Sequence, residues 1–450
     1  MLYKLHSNIL ITGLLTIGFL TVLMPDRAFC MMTLVTIFSF VTQVLLIMNY
    51  SRMSKVSCTS LELFVIVLLY SIFLGTIFML VSYYYDGDTF VFSKSDALLY
   101  YDTGLRAIEK GYIENARYII NKYEYEEWGG LLSISFIMSI LPFKIFLNAI
   151  YMSLGAISSV MIFRIGKHFM PNTYAFCGAL AYGTSSYMVF FYCACLKETI
   201  FVFFVISAMY FFYRSILDGS RWALLGTLIC LAAIVFFRPA VTVFLVMSFI
   251  AYYVIKQRGK AVSIFLFLIV AIGIVSSFAF MQGLLDSYTL GDQEQLVQNR
   301  GHDSYTGTFN FYVACFAAVF GPFPTLFPTV SVTPSLTNFY GAGLIYRLFV
   351  IITFWIGIFF AVKNRNIDFI PLVLFVLVEM SATAYLTASL ELRKVLPHMP
   401  FMYILMFYGL HQCKTDTIHP VVKRVLPPVA AILAIGILMV WTVFRVKISY

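Results

Sequence analysis

Read for its apolar and polar positions, the chain is a succession of apolar runs of membrane length, broken by short basic stretches and two long polar intervals. The runs centre near Leu15, Phe40, Leu69, Gly155, Leu180, Val205, Ala232, Met247, Val270, Phe354, Phe375, Met406 and Ile435. At ~20 residues per crossing this predicts about 13 transmembrane helices in an all-α, polytopic membrane protein. Two further apolar segments are poor spans. Leu131 to Leu141 is short, and Phe311 to Phe327 runs into Gly321–Pro328, where Pro322, Pro324 and Pro328 forbid a regular helix finish. No internal repeat or low-complexity linker interrupts the pattern, so residues 1–450 read as a single membrane domain. The apolar run from Ile9 to Met24 behind Lys4 has the look of a signal peptide. A second run follows at once without a small-residue cleavage site, which favours an uncleaved first span.

Positive charge orients the helices. Arg52 with Lys55, Arg164 with Lys167, Arg214 with Arg221, Lys256 with Arg258 and Lys260, Lys363 with Arg365, and Lys414 with Lys423 and Arg424 mark cytoplasmic loops. All of them fall on one face only if neither short segment crosses, so both are expected to be re-entrant or to lie along the surface. The two polar intervals, 83–143 and 282–343, are then extracytoplasmic. With them go Lys197-Glu198, Arg238 and the stretch from Glu391 to His398.

The first interval is the more informative. Between Tyr83 and Gly130 it carries Asp86, Asp88, Asp96, Asp102, Glu109, Glu114, Glu124, Glu126 and Glu127, nine of the chain's 21 acids. A loop of this size is usually functional. Ser95 through Asp102 opens an amphipathic helix that runs on through Gly104, Leu105 and Ile108 to Lys110. Asp96 in its first turn suits the helix dipole, and Ser93 or Ser95 suits an N-cap. The same carboxylate near a membrane surface also suits a general base that takes a proton from an acceptor hydroxyl. Asp86, Asp88 and Asp102 compete for that role.

Composition narrows the class. Hydrophobic residues make up 61% and charged residues 11%, with mean hydropathy +0.90, far from the roughly 25% charged residues of soluble domains. The net charge of +9 is scattered over span ends, which fits lipid headgroups and topology and gives no reason to expect nucleic acid. The eight cysteines form no CxxC pair and no zinc spacing. No metal ligand set is visible, and His302, with Arg300 in the segment Asp286 to Asp303, is a lone histidine in a polar loop.

Other charged residues stand at span ends. Arg238 before Pro239 suits either a snorkelling anchor or a clamp on phosphate, for which a guanidinium fork is better shaped than an ammonium. Lys197 and Glu198 suit either a mutual ion pair or a phosphate contact with its orienting acid. Arg393 suits a second phosphate ligand, with Lys394 in support. Glu379 lies mid-span, where a carboxylate must face a cavity or a partner.

Taken in order, these elements resemble the GT-C superfamily of polyprenyl-phosphate-sugar-dependent glycosyltransferases, including proteins of bacterial O-antigen and capsule loci. The likeness rests on Asp96-Ala97 with Tyr100 after an early span, a short apolar helix, and a span ending at Arg164 and Lys167. It continues in Leu196-Lys197-Glu198-Thr199, in Phe237-Arg238-Pro239, and in Leu392-Arg393-Lys394 leading to Pro397-His398-Met399-Pro400. It covers roughly residues 80 to 410 in order and spacing. Many relatives have Asp after the lysine, where this chain has Glu198. The resemblance implies a GT-C-like fold with two large extracytoplasmic loops and transfer of a sugar or oligosaccharide from an undecaprenyl-(pyro)phosphate-linked donor. The acceptor would be a saccharide or a lipid-linked saccharide, in cell-surface polysaccharide or lipopolysaccharide assembly at the periplasmic face of the bacterial inner membrane. Asp96 or Asp102 would be the base, and Arg238, Arg393 and Lys197 would bind the donor phosphate, with Glu198, Asp86, Asp88 and Lys394 supporting. Such enzymes with monophosphate donors work without metal, whereas oligosaccharyltransferases bind a divalent ion. A Wzy-type repeat-unit polymerase would use the same cations. A lipid-linked oligosaccharide flippase or solute transporter would instead show broken spans and charges at mid-membrane depth.

Overall fold

The computed structural model describes residues 2–23, 31–52, 59–91, 93, 96–256, 320–321, 323, 336–387, 395–414 and 420–448. Among them the chain is all-helical. Helices α1 (Leu2–Leu23), α2 (Met31–Arg52) and α3 (Ser60–Asp86) precede a short-helix group of α4 (Asp96–Lys110), α5 (Tyr112–Lys122) and α6 (Tyr125–Ile140). Then come α7 (Lys144–Gly166), α8 (Asn172–Gly183), α9 (Ser186–Cys193), α10 (Glu198–Leu217), α11 (Arg221–Val235) and α12 (Pro239–Lys256). The series closes with α13 (Leu336–Lys363), α14 (Ile370–Thr387), α15 (Met399–Lys414) and α16 (Pro420–Ile448).

Among the described residues, eight helices are long and apolar enough to cross a bilayer: α1, α2, α3, α7, α10, α12, α13 and α16. Of the thirteen expected span centres, twelve fall inside helices, and Val270 lies outside the described residues. The centres at Leu180, Ala232, Phe375 and Met406 sit in the α8–α9 pair, α11, α14 and α15. The second polar interval, with Asp286, Arg300, His302 and Asp303, lies almost wholly outside the described residues, as do Arg393 and Lys394.

Burial sorts the helices into layers. Every residue from Tyr174 to Ala194 is buried, and so is every residue from Met399 to Leu410. Helices that are apolar all round belong in the middle of a bundle, and α8, α9 and α15 form that middle. Around them α3, α10, α11 and α12 present exposed Leu69, Phe73, Leu217, Leu228 and Met247, as a lipid-facing ring does. Small residues bring the central backbones together. A Cβ at Gly357 of α13 would collide with the backbone of Leu405, and one at Gly409 of α15 would lie 2.8 Å from Gly357 N. Without a hydrophobic drive between helices in lipid, this close backbone packing is a main source of association.

The basic stretches gather at one end. There Tyr252 donates to Asp368 Oδ1 at 3.2 Å, Tyr213 donates to the Asp368 carbonyl at 2.7 Å, and His168 lies 3.4 Å from Asp368 Oδ2. The acidic interval returns to the other end. Lys144 Nζ, at the start of α7, donates to the Thr89 carbonyl at 2.7 Å just after α3, so the chain from Thr89 to Lys144 begins and ends at one place. Helix α6, which carries most of Leu131 to Leu141, lies within that excursion. Gly111, at φ 83°, makes the turn between α4 and α5, a conformation that costs glycine little.

Substituting Gly409 with Val should separate α13 from α15, because the colliding atoms are backbone and cannot rotate away. A loss of about 3 kcal/mol or more, seen as a lower unfolding temperature of the detergent-solubilised protein, is the expected outcome. Gly436, with open space around it, should accept the same change.

Candidate functional site

The residues singled out in the sequence divide into three groups. Lys197, Glu198 and Arg238 are brought together. Asp96, Asp86 and Asp88 lie at the same end but make local structure. Asp102 is exposed on the outer face of α4, opposite buried Ala97, Tyr100 and Gly104.

The first group is assembled by two turns and one docking helix. After α9 the chain turns through Cys195, whose φ of 54° is a left-handed conformation held by a non-glycine residue, a strained geometry that surrounding packing must maintain. The next residues are Lys197 and Glu198, which open α10. A second turn, Phe236 to Arg238, links α11 to α12. Helix α6 clamps both turns. Gly129 N donates to the Phe236 carbonyl at 2.9 Å. A Cβ on Gly129 would lie 2.6 Å from the Phe237 ring, and one on Gly130 would lie 2.6 Å from Lys197 Cβ. The two glycines let the start of α6 sit directly on the cations, and that carries Glu126 and Glu127 in beside them.

The charges pair crosswise. Lys197 and Glu198 do not form the mutual pair that adjacency suggests, because consecutive residues at a helix start point to different sides. Lys197 Nζ pairs with Glu127 Oε1 instead, and Arg238 Nη2 lies 3.9 Å from Glu198 Oε1. Glu198 is only 3% exposed, and its Oε2 has no hydrogen-bond partner. The Arg238 guanidinium also stands over the Phe201 ring at 5.3 Å, a cation–π contact. Lys197, Glu198, Phe201, Phe237 and Arg238 line a shallow, partly open cleft.

A second shell of hydrogen bonds sets the acids. Tyr100 donates to Glu127 Oε2 at 3.1 Å, so Glu127 bridges α4 to Lys197. Burial first, and then the negative charge of Glu198, Glu127 and Asp96, pushes the Tyr100 phenol well up. The hydroxyl therefore stays a donor. Asp96 is the first residue of α4 and acts on Tyr100 one turn away. Asp88 accepts from Phe90 N at 2.8 Å, an ordinary turn cap, and Asp86 ends α3.

Glu126 is the acid that sequence reasoning passed over. Half-buried on α6, it has its pKa raised by desolvation first and then by Glu124, against the pull of Lys197 and Arg238. A carboxyl held toward neutrality next to two cations is what proton transfer needs. The signal was present in Glu126-Glu127 immediately ahead of Gly129-Gly130, since paired glycines mark a close approach.

Among the described residues no group of three or more His, Cys, Asp or Glu residues has the arrangement to hold a metal ion. Glu379 of α14 is buried and bound to His398 Nδ1 just ahead of α15. No family model, curated protein or solved structure matches the chain.

The raised pKa of Glu126 sets a sign. Its folded value exceeds its unfolded one, so its contribution is most favourable below the ordinary carboxylate range and is lost as pH rises through the folded value. Glu126→Gln should therefore raise the unfolding temperature at pH 7.5, and that gain should shrink as pH falls toward about 4. Thermal scans of both proteins across that range provide the check.

Proposed function

We propose that the chain is a membrane glycosyltransferase of GT-C type, which moves a sugar or oligosaccharide from a polyprenyl-(pyro)phosphate-linked donor to a hydroxyl acceptor. The observation that supports this most is the cleft lined by Lys197, Glu198 and Arg238 at the bundle end to which α4–α6 return, with half-buried Glu126 within reach of both cations' charge. A polyprenyl donor keeps its chain in the bilayer and its phosphate at the surface, so an end-of-bundle cleft is where that phosphate arrives. In this reading Arg238 and Lys197 exchange part of their pairing with Glu198 and Glu127 for the donor phosphate. The acceptor oxygen attacks the anomeric carbon and the carbon–oxygen bond to phosphate breaks. Its electron pair leaves on the phosphate, where the cations stabilise it in a site of low dielectric. The acceptor proton passes to a carboxylate. Glu126 feels both cations and has a raised pKa, and Asp96 stays a second candidate at the N-terminus of α4. Arg393 and Lys394 lie outside the described residues and keep their proposed role as further phosphate ligands. The face would be extracytoplasmic, opposite the basic stretches, and the membrane a bacterial inner membrane. A Wzy-type polymerase would use the same groups.

Two features favour a second reading, that of a transporter. The α8–α9 pair is an interrupted helix within the bundle, and Glu379 and His398 form a buried ionisable pair, as carriers with mid-membrane sites show.

Surface polysaccharide from cells lacking the gene, complemented with wild type, Arg238→Gln, Glu126→Gln or Asp96→Asn, separates these readings. Loss of the product by 100-fold or more with Arg238→Gln, at equal protein abundance, is expected, as for a transition-state charge contact. Collapse of a ladder to one repeat identifies a polymerase, and a retained but shifted ladder a branching transferase. Full function of Arg238→Gln would sink the enzymatic reading.

A further inference from the structure

A second polar centre lies deeper in the bundle, away from the cleft. Helix α8 stops at Gly183, Thr184 and Ser185 make the break, and α9 restarts at Ser186. The depth of this break is fixed by α3. Gly183 packs on Val67 and Val189 near Gly75, which lie roughly 10 and 23 Å along a helix about 40 Å long. Helix α15 begins at a similar depth, since Tyr182 of α8 lies against Tyr403 in the first turns of α15, ring centroids 6.0 Å apart. Two helix N-termini are therefore inside the protein, well below its surface.

Arg347 of α13 stands between them. One turn earlier, Gly343 packs on the start of α9. A Cβ there would lie 2.6 Å from both Ser186 N and Tyr187 N, and the Gly343 carbonyl accepts from Ser185 Oγ at 3.3 Å. On the other side, Arg347 Nη2 lies 3.5 Å from Met402 Sδ in the first turn of α15. Arg347 is 1% exposed, and its Nε and Nη1 have no hydrogen-bond partner. The neutral phenols of Tyr403 and Tyr187 lie around it. Glu379, the acid beside the start of α15, is engaged by His398.

An isolated guanidinium is among the most expensive groups to bury, and this one lies between the starts of α9 and α15. Guanidinium, helix N-termini and phenols are all able to donate. A donor array with no unengaged carboxylate among the described residues is complementary to an anion, and interrupted helices in membrane proteins present their N-termini to anions in this way. The planar fork of Arg347 matches the paired oxygens of a tetrahedral oxyanion better than a monatomic ion. Met402, whose thioether fills the space against Nη2, is a flexible side chain that an incoming group can displace.

We propose that Arg347, between the N-terminal turns of α9 and α15, binds a compact oxyanion of the phosphate class, either free or as the headgroup of a lipid phosphate. The site is separate from the Lys197–Arg238 cleft and does not depend on the glycosyltransferase reading.

The test is equilibrium dialysis of the purified full-length protein in detergent with radiolabelled inorganic phosphate, at constant ionic strength set with gluconate. Saturable binding is expected in the wild type and in the cleft variant Lys197→Gln/Arg238→Gln, with at least a tenfold loss of affinity in Arg347→Met. Phosphate should also raise the unfolding temperature of the wild type and of the cleft variant, but not of Arg347→Met. Displacement by a polyprenyl phosphate in mixed micelles would identify the lipid headgroup as the natural source, and displacement by sulfate alone a soluble anion. No saturable phosphate binding to the wild type overturns the proposal without recourse to any variant. So does retention of binding by Arg347→Met, its loss in the cleft variant, or equal competition by chloride.

Discussion

Charge inside an apolar bundle must be matched, and that requirement shapes the polar end of this protein. The hydration lost on burial is regained only through close partners with further hydrogen bonds. At the end of the bundle Glu198 and Lys197 are drawn in by helix starts, and each takes a partner from another element, Arg238 and Glu127. These pairs connect α6, α10 and the α11–α12 turn, which also share the Phe201–Phe237 and Trp128–Phe236 ring contacts. The cleft is thus a product of pairing as much as of packing.

Packing decides where the pairs can form. The central α8, α9 and α15 are shorter than a membrane crossing, so their ends fall inside the surrounding ring of longer helices. A short central helix leaves its first N–H groups within the protein, and near these ends the structure places Arg347, Tyr403 and His398. The outer helices carry the lipid contact, the inner ones the polar interruptions. That division explains how a chain with so few charges builds two separate polar centres.

The two centres make different demands on function. The cleft at the end of the bundle is partly open, has paired charges and, within reach of them, a carboxyl with raised pKa, and suits group transfer at the membrane surface. The deeper centre is closed, positive and donor-rich, and suits binding. A lipid phosphate that reaches from the bilayer into the protein would meet both kinds of chemistry, which links the sugar-transfer reading to the transporter-like architecture of the interior.

Hydropathy alone determined much of the fold. Twelve of thirteen expected span centres are helical, and α4 runs from Asp96 to Lys110 as its amphipathic pattern requires. These are local or one-dimensional properties, carried by the period of apolar residues. Lys197, Glu198 and Arg238 were legible because ionisable residues at span ends are rare enough to stand out. Their partners were not. Glu127 lies 70 residues from Lys197 and Glu198 lies 40 from Arg238, and nothing along the chain says which acid reaches which base until the Gly129-Gly130 contact positions α6. Arg347 and the break at Thr184–Ser185 were hidden for a related reason. Inside an apolar run one arginine or one pair of hydroxyl residues hardly alters the hydropathy, and only the packing of three helices around them turns them into a buried positive centre.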